Sequence, residues 1–353
     1  MLPVRSRARQ IVVPCQDDSL RNLAELSVAE LSVAELAAYH EQGLVLYRAA
    51  LASEGLRNPL SCPGDHRGYA WLAIKRAWAQ ALLSECNYCV HNCRVNRVAG
   101  ETGYCGLTEQ ALISGEYLHY GEEARVGTTH AIFFSGCTLH CLFCHNWRET
   151  FDLSAGAGVD AAHLAEQIRL RCADPAVQSI SFIGGTPEPH LHTLTALAEL
   201  LPEPLTLPWV FNSNATLSAT GLALMEGLID LYLPDFKFGN DRCAWQLAKI
   251  ASYSETLEAN LKAYQAQSRQ TASSLQPVQV LIRHLLMPGH LDCCTLPVLE
   301  KIAELCPETP VNIMGQYRPF YKARERPELN QRPAKADLEM ARTRAHELGL
   351  SLV

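Results

Sequence analysis

With 353 residues, 48% of them hydrophobic and 19% charged, 21 Gly and 19 Pro, the chain has the composition of a globular protein, which excludes disordered, collagenous and coiled-coil classes. Its net charge of -7 argues against a general binder of nucleic acid or of an anionic membrane. Its 14 cysteines are too sparse for a small disulfide scaffold yet more than packing requires, so their positions carry the reading. Arg5, Arg7 and Arg9 open the chain, but the apolar run behind them stops at Pro14. No secretory leader is expected, and the cysteines should stay reduced in a cytoplasmic protein. The uncharged stretches 126–147 and 204–225 are broken by Gly, Pro, His or Asn and do not read as membrane spans.

In chain order, residues 24–36 read AELSV, AELSV, AEL. Five residues is no helical period, so the tract reads as a helix of good formers lengthened by duplication and ending near Ala52. A loop rich in Pro, Gly and Asp, Asn58 to Gly68, leads to a helical stretch from Tyr69 to Leu83. From residue 131 the texture changes to short apolar runs: Ala131 to Ser135, Ser179 to Ile183, Pro208 to Phe211, Leu231 to Pro234, Val278 to Ile282 and Val311 to Met314. The intervals allow right-handed helical crossovers, which predicts an α/β fold with a parallel sheet. Chemistry in such folds gathers at the carboxyl ends of strands. Here the runs exit into Gly136-Cys137, Gly184-Gly185-Thr186, Asn212-Ser213-Asn214, Asp235-Phe236-Lys237, Arg283-His284 and Gln316-Tyr317-Arg318. The expected organisation is a mostly helical extension over 1–85, a four-Cys metal module over 86–125 and an α/β domain over 126–353.

Cys137, Cys141 and Cys144 lie where the first run ends. Three thiolates so placed can wrap one compact inorganic cluster and leave one metal without a protein ligand. A structural zinc site closes its shell with four ligands and would need His140 or His145 as well. Upstream, Cys86, Cys89, Cys93 and Cys105 fit a closed four-ligand site, either zinc or a second [4Fe-4S] cluster. The other seven, Cys15, Cys62, Cys172, Cys243, Cys293, Cys294 and Cys306, show no ligand-like grouping in sequence and read as ordinary reduced residues.

The run Cys137-Thr-Leu-His-Cys141-Leu-Phe-Cys144, with Phe143 before the last Cys, resembles the signature of radical S-adenosylmethionine (SAM) enzymes. Ile132-Phe-Phe-Ser-Gly-Cys137, Gly184-Gly-Thr-Pro-Glu-Pro-His190, Leu231-Tyr-Leu-Pro-Asp-Phe-Lys237, Ile282-Arg-His-Leu-Leu-Met-Pro-Gly289 and Asn312-Ile-Met-Gly-Gln-Tyr-Arg-Pro319 look like the pyruvate formate-lyase-activating enzyme-like branch. The resemblance covers roughly residues 86 to 345. It implies a partial (β/α)6 TIM-like barrel over 126–353, a [4Fe-4S] cluster on Cys137, Cys141 and Cys144, and SAM bound to the fourth iron. It also implies an external flavodoxin- or ferredoxin-like electron donor. Reductive cleavage of SAM would give a 5′-deoxyadenosyl radical for hydrogen abstraction, an oxidoreductase-type chemistry.

By position, Gly184 and Gly185 fall where family members present backbone oxygens to the SAM amino group, with Thr186 beside them. The glycines alone fit a tight strand-to-helix turn equally well. The family places Glu directly after the pair, whereas Thr186 and Pro187 intervene here before Glu188. Asn212, Ser213 and Asn214 suit either ribose and carboxylate contacts or a turn. Asp235 and Lys237 would share a face of a continuing strand. They resemble the Asp-x-Lys that lies beside SAM, the alternative being a salt-bridged strand end. Arg283, in an apolar stretch, requires an anion such as a SAM carboxylate. His284 would face the other way as a satisfied structural histidine. The basic stretch from Arg318 to Lys335 reads as a solvated loop or an attractor of an anionic partner. The substrate implied is a glycyl-radical-type partner protein; the alternatives are a small molecule or peptide, or a metal-binding interaction protein without catalysis.

Overall fold

Each apolar run after residue 131 forms a strand in a computed structural model that describes residues 8–9, 11–14, 28–52, 68–201, 207–272 and 277–353. Residues 24–27 of the repeat, most of the 58–68 loop, Cys15 and Cys62 lie outside the described residues. Strand β1 (Val12–Pro14) is followed by helix α1 (Val33–Ala52). The repeat supplies the start of α1. Ser32 Oγ accepts from the Glu35 amide at 3.3 Å and Glu35 accepts from the Ser32 amide at 2.8 Å, a reciprocal capping box. Strand β2 (Gly68–Ala70) pairs antiparallel with β1 and leads into α2 (Trp71–Leu82), which packs against α1.

The main sheet begins with β3 (Ala111–His119), antiparallel to β4 (Thr129–Phe134). A short helix α3 (Trp147–Phe151) and strand β5 (Ala157–Val159) follow, β5 lying antiparallel on the other edge of β3. Helix α4 (Ala161–Arg171) then crosses to β6 (Ser179–Gly184), and α5 (Leu191–Leu200) crosses to β7 (Trp209–Ser213). Helix α6 (Ala219–Met225) leads to β8 (Leu231–Pro234). Helices α7 (Asp241–Ala248) and α8 (Tyr253–Gln270) precede β9 (Gln279–Val280) and β10 (Ile282–Leu285). Helix α9 (Leu296–Leu305), β11 (Val311–Met314) and α10 (Lys335–Glu347) complete the chain.

The sheet order is β5-β3-β4-β6-β7-β8-β9, with β10-β11 as a second parallel pair. The expected run from Val278 to Ile282 is thus two short strands, extending to Leu285. Tyr232 accepts the Leu281 amide at 3.0 Å while β10 turns to pair with β11. An Asp235–Arg283 bridge joins the two sheets. The six expected parallel positions therefore follow one another around a partial (β/α)6 barrel, preceded by a mostly helical part. Ile132, Phe134, Ile180, Phe182, Phe211 and Tyr232 are fully buried on the face turned to the helices, Tyr232 stacking on Tyr264 of α8, while Val210, Leu231, Leu233 and Leu281 form a separate apolar cluster on the opposite face. Among the described residues, no helix is long and apolar enough to cross a membrane.

Candidate active site

Strand register brings the polar exits to one rim: Phe134 pairs with Gly184, Ser213 with Pro234 and Leu285 with Met314. The loop after β4 carries the three-Cys set. Gly136 turns it with φ +78°, a conformation that favours glycine, and a Cβ there would lie 2.9 Å from the Cys105 carbonyl. Cys137 and Cys141 are buried, Cys144 partly so. The Leu139 amide and Asn214 Nδ2 donate to Cys137 Sγ at 3.3 and 3.2 Å, and Thr150 Oγ1 lies 3.7 Å from Cys144 Sγ. Burial pushes the Cys137 thiol up to about 12 and raises those of Cys141 and Cys144. Sulfurs this buried need a cation to persist as thiolates, while the donors around them suit anionic sulfur. The residues therefore fit a metal cluster.

Beside the loop opens a cavity of about 530 Å³ lined by Phe143, Gly184, Gly185, Asn212, Ser213, Asn214, Asp235 and Arg283, together with Tyr317 and the exposed Arg318. That size suits a cofactor-sized ligand. Gly185 shows why no side chain is tolerated: its Cβ would lie 2.0 Å from the Gly136 carbonyl. The absence of a side chain here thus answers the approach of the neighbouring β4 exit, and the Gly184 carbonyl lies 3.3 Å from Asn146 Nδ2 at the cavity wall.

A match to the radical SAM superfamily model spans residues 131–302. Uncharacterized protein MJ0674 of Methanocaldococcus jannaschii is 35% identical over 286 residues, covering 80% of each chain. The chain belongs to the radical SAM superfamily. Members of this superfamily use a [4Fe-4S] cluster and SAM. Among solved structures, a radical SAM methyltransferase from Sphaerobacter thermophilus matches at 14% identity over 67% of each chain, TM-score 0.46. Streptococcus suis SuiB bound to its precursor peptide SuiA matches at 12% identity over 90% of this chain, TM-score 0.44, and the chain spans 62% of SuiB's length.

Several predicted residues occupy positions the sequence did not specify. Lys237 donates to Asp235 Oδ2 at 2.6 Å and to Asn214 Oδ1 at 2.9 Å, so the salt-bridged pair is also a cavity-side pair. Burial opposes the Lys237 charge, but Asp235 and the Cys141 sulfur outweigh it and hold the ammonium above its ordinary range. Arg283 does find anions, but they are Glu122 and Glu123 of this chain; its Nε donates to Glu123 Oε1 at 2.8 Å. A protein carboxylate pair thus takes the place expected of a SAM carboxylate, because the chain after β3 returns over β10. Thr186 is buried, and its hydroxyl donates to Glu188 instead of facing the cavity. His284 is the satisfied structural histidine expected, bonded to Phe236 O at 2.7 Å and Thr295 Oγ1 at 2.9 Å.

Glu188 was legible only as a displaced family glutamate. It is fully buried and accepts from Thr216 N at 2.7 Å, Thr216 Oγ1 at 3.0 Å and Thr138 Oγ1 at 3.2 Å. It braces the Cys loop from behind. Burial raises its carboxyl above the ordinary range despite these donors. In the basic stretch, Lys322, Arg324 and Arg326 are exposed and Arg326 pairs with Glu328, as in a solvated loop; Arg318 alone reaches the cavity mouth.

The four-Cys group lies directly against this site. Tyr104 stacks between His91 and His140, with ring centroids 3.7 and 4.0 Å away, and His91 Nε2 lies 2.8 Å from the Thr138 carbonyl. The Cys93 sulfur takes the Tyr104 amide at 3.4 Å, and Arg97 reaches Cys86 Sγ at 3.9 Å. One expectation fails. Cys243, Cys293 and Cys294 are not isolated: their sulfurs and a His290 ring nitrogen all lie within 4.8 Å of one another. Two separate segments supply them, one carrying Cys243 and the other His290, Cys293 and Cys294, and their meeting is not revealed by spacing in sequence.

Proposed function

We propose that this chain reductively cleaves SAM at a [4Fe-4S] cluster held by Cys137, Cys141 and Cys144, for hydrogen abstraction from a substrate at the cavity mouth. The observation that carries this is the placement of three sulfurs on the β4 exit, those of Cys137 and Cys141 buried and that of Cys144 partly so, beside a cavity walled by the exits of the other barrel strands. When bound, the reduced cluster supplies the electron that splits SAM into methionine and a 5′-deoxyadenosyl radical. The chain's own residues position and shield. Gly184 and Gly185 would admit the cofactor close to the backbone, Asn212 and Ser213 would offer polar atoms to it, Phe143 would line its apolar wall, and Asp235 and Lys237 would set the local charge. Arg283 acts through Glu122 and Glu123 as a neutralised wall of the pocket. Thr186 acts through Glu188.

The electron comes from an external flavodoxin- or ferredoxin-like donor. We assign the module of Cys86, Cys89, Cys93 and Cys105 as a second metal centre, a [4Fe-4S] cluster or zinc, and its contact with the Cys loop through Tyr104 favours the cluster. We assign the protein to the cytoplasm, where thiols stay reduced. We assign a polypeptide of the glycyl-radical type as substrate, on the resemblance to activating enzymes and on the open mouth beside Arg318; a small molecule or another peptide is the competing assignment.

Anaerobically reconstituted protein given SAM and reductant is expected to release 5′-deoxyadenosine, and the Cys137/Cys141/Cys144→Ala variant to release none. Equal release by both would overturn the assignment. An electron paramagnetic resonance signal on a partner chain supports the glycyl-radical substrate; label from SAM hydrogen exchange appearing in a small molecule instead rejects it.

A further inference from the structure

Cys243, His290, Cys293 and Cys294 belong to none of the groups used above. Cys243 lies in the first turn of α7, and the other three follow β10, where the chain from Leu291 to Thr295 forms a widened π turn. Such wide turns recur at functional sites. His290 Nδ1 lies 3.2 Å from Cys293 Sγ, and Cys293 Sγ lies 3.9 Å from Cys294 Sγ. Cys243 and Cys294 are buried; His290 and Cys293 are partly exposed, which leaves an entry path.

The two segments are locked together without the sulfurs. Asn240 Nδ2 donates to the Cys293 carbonyl at 2.8 Å while Asn240 Oδ1 caps α7 at the Cys243 amide, 2.9 Å away. A Cβ on Gly239 would lie 2.7 Å from the same Cys293 carbonyl, so the approach requires glycine. His290 Nε2 is buried with no hydrogen-bond partner among the described residues, so nothing competes for the orientation that turns Nδ1 to the sulfurs.

We propose that these four residues bind a single zinc ion in a closed Cys3His shell. Bonds of about 2.3 Å to sulfur and 2.0 Å to nitrogen place the corners of a tetrahedron roughly 3.5–4 Å apart, which the observed separations approach. An iron-sulfur cluster would need the sulfurs more widely spread, since each binds a different iron. A Cys293–Cys294 disulfide would need the sulfurs about 2 Å apart. The ion ties the exit of β10 to the start of α7, whose last turn holds the radical-cluster loop: Leu247 and Ala248 carbonyls accept the Leu142 and His140 amides at 2.8 and 2.9 Å. The site is a structural brace behind the reaction centre, and it stands whether or not SAM is the cofactor.

The test is alkylation of the full-length protein under native, anaerobic conditions, read peptide by peptide by mass spectrometry, with added zinc or after chelator treatment. Cys293 is expected to label about tenfold faster once stripped and to be protected again by zinc, while buried Cys306 stays unlabelled as a check that the chain remains folded. Equal Cys293 labelling in both states, or exposure of Cys306 together with Cys293, overturns the proposal. Metal counts give an independent reading. His290→Ala and Cys293→Ser should each lose about one zinc per chain with iron unchanged; unchanged zinc, or loss of iron, refutes it.

Discussion

The Glu188 carboxylate collects donors from Thr138 on the Cys loop, Thr186 after β6 and Thr216 after β7. Removing it strands several buried donors at once, each costing about 1–3 kcal/mol. Glu188→Ala is therefore expected to lower stability by roughly 3 kcal/mol or more and to reduce iron incorporation, whereas Glu188→Gln, which keeps one acceptor for the Thr216 amide, should cost about 1–2 kcal/mol. Thermal melts and iron counts on both variants check this, and equal behaviour of the two would contradict it. Gly185→Ala places a methyl against the Gly136 backbone, which cannot give as a side chain would. A loss of about 2 kcal/mol or more and a displaced Cys loop are expected, measured as lower iron content in an otherwise folded chain.

Elements add a scale at which charge and capping decide. The Ser32–Glu35 box opens α1, so Ser32→Ala should cost about 1 kcal/mol in a denaturation curve. Lys75 on α2 is fully buried against His40 of α1, 3.0 Å away, and donates to the Ala223 and Leu224 carbonyls at 2.9 and 3.0 Å; Arg48 pairs with Glu226 nearby. Burial lowers Lys75 to about 7, Glu226 opposing it. Between that value and the ordinary 10.5, the unfolded chain carries a proton that the folded chain has released, so this group's contribution to stability rises with pH. The melting temperature of the native chain should accordingly gain on that of Lys75→Met from pH 7 to about pH 9.5. A difference that stays constant or moves the other way would remove Lys75 as the cause.

Across the whole molecule, the four-Cys module and the barrel meet through the His91–Tyr104–His140 stack and through Tyr104 Oη, which donates to Lys249 O at 2.9 Å. Tyr104→Phe keeps the stack and should cost about 1 kcal/mol. Tyr104→Ala opens the seam between the two Cys groups, with a larger loss of about 2 kcal/mol and faster bleaching of the iron-sulfur absorption in air. Bleaching as slow as in Tyr104→Phe would show that the seam does not shield the cluster.

The three-Cys loop, the six barrel strands and the polar exits at their carboxyl ends were legible in the sequence, because spacing and apolar periodicity are local properties of a chain. The structural fate of His284 followed from strand alternation in the same way. Other features depend on segments far apart in sequence. Arg283 meets Glu122 and Glu123 across some 160 residues, and Glu188 gathers threonines from three loops. The Val278 run splits because its two halves find different neighbours. Cys243 joins His290, Cys293 and Cys294 only because α7 folds back on the β10 exit. The sequence by itself determined the superfamily and where the Cys loop falls in the fold; tertiary packing decided which buried charges answer one another and which distant thiols converge, since those pairings follow from burial and closure of the barrel and leave no periodic trace along the chain.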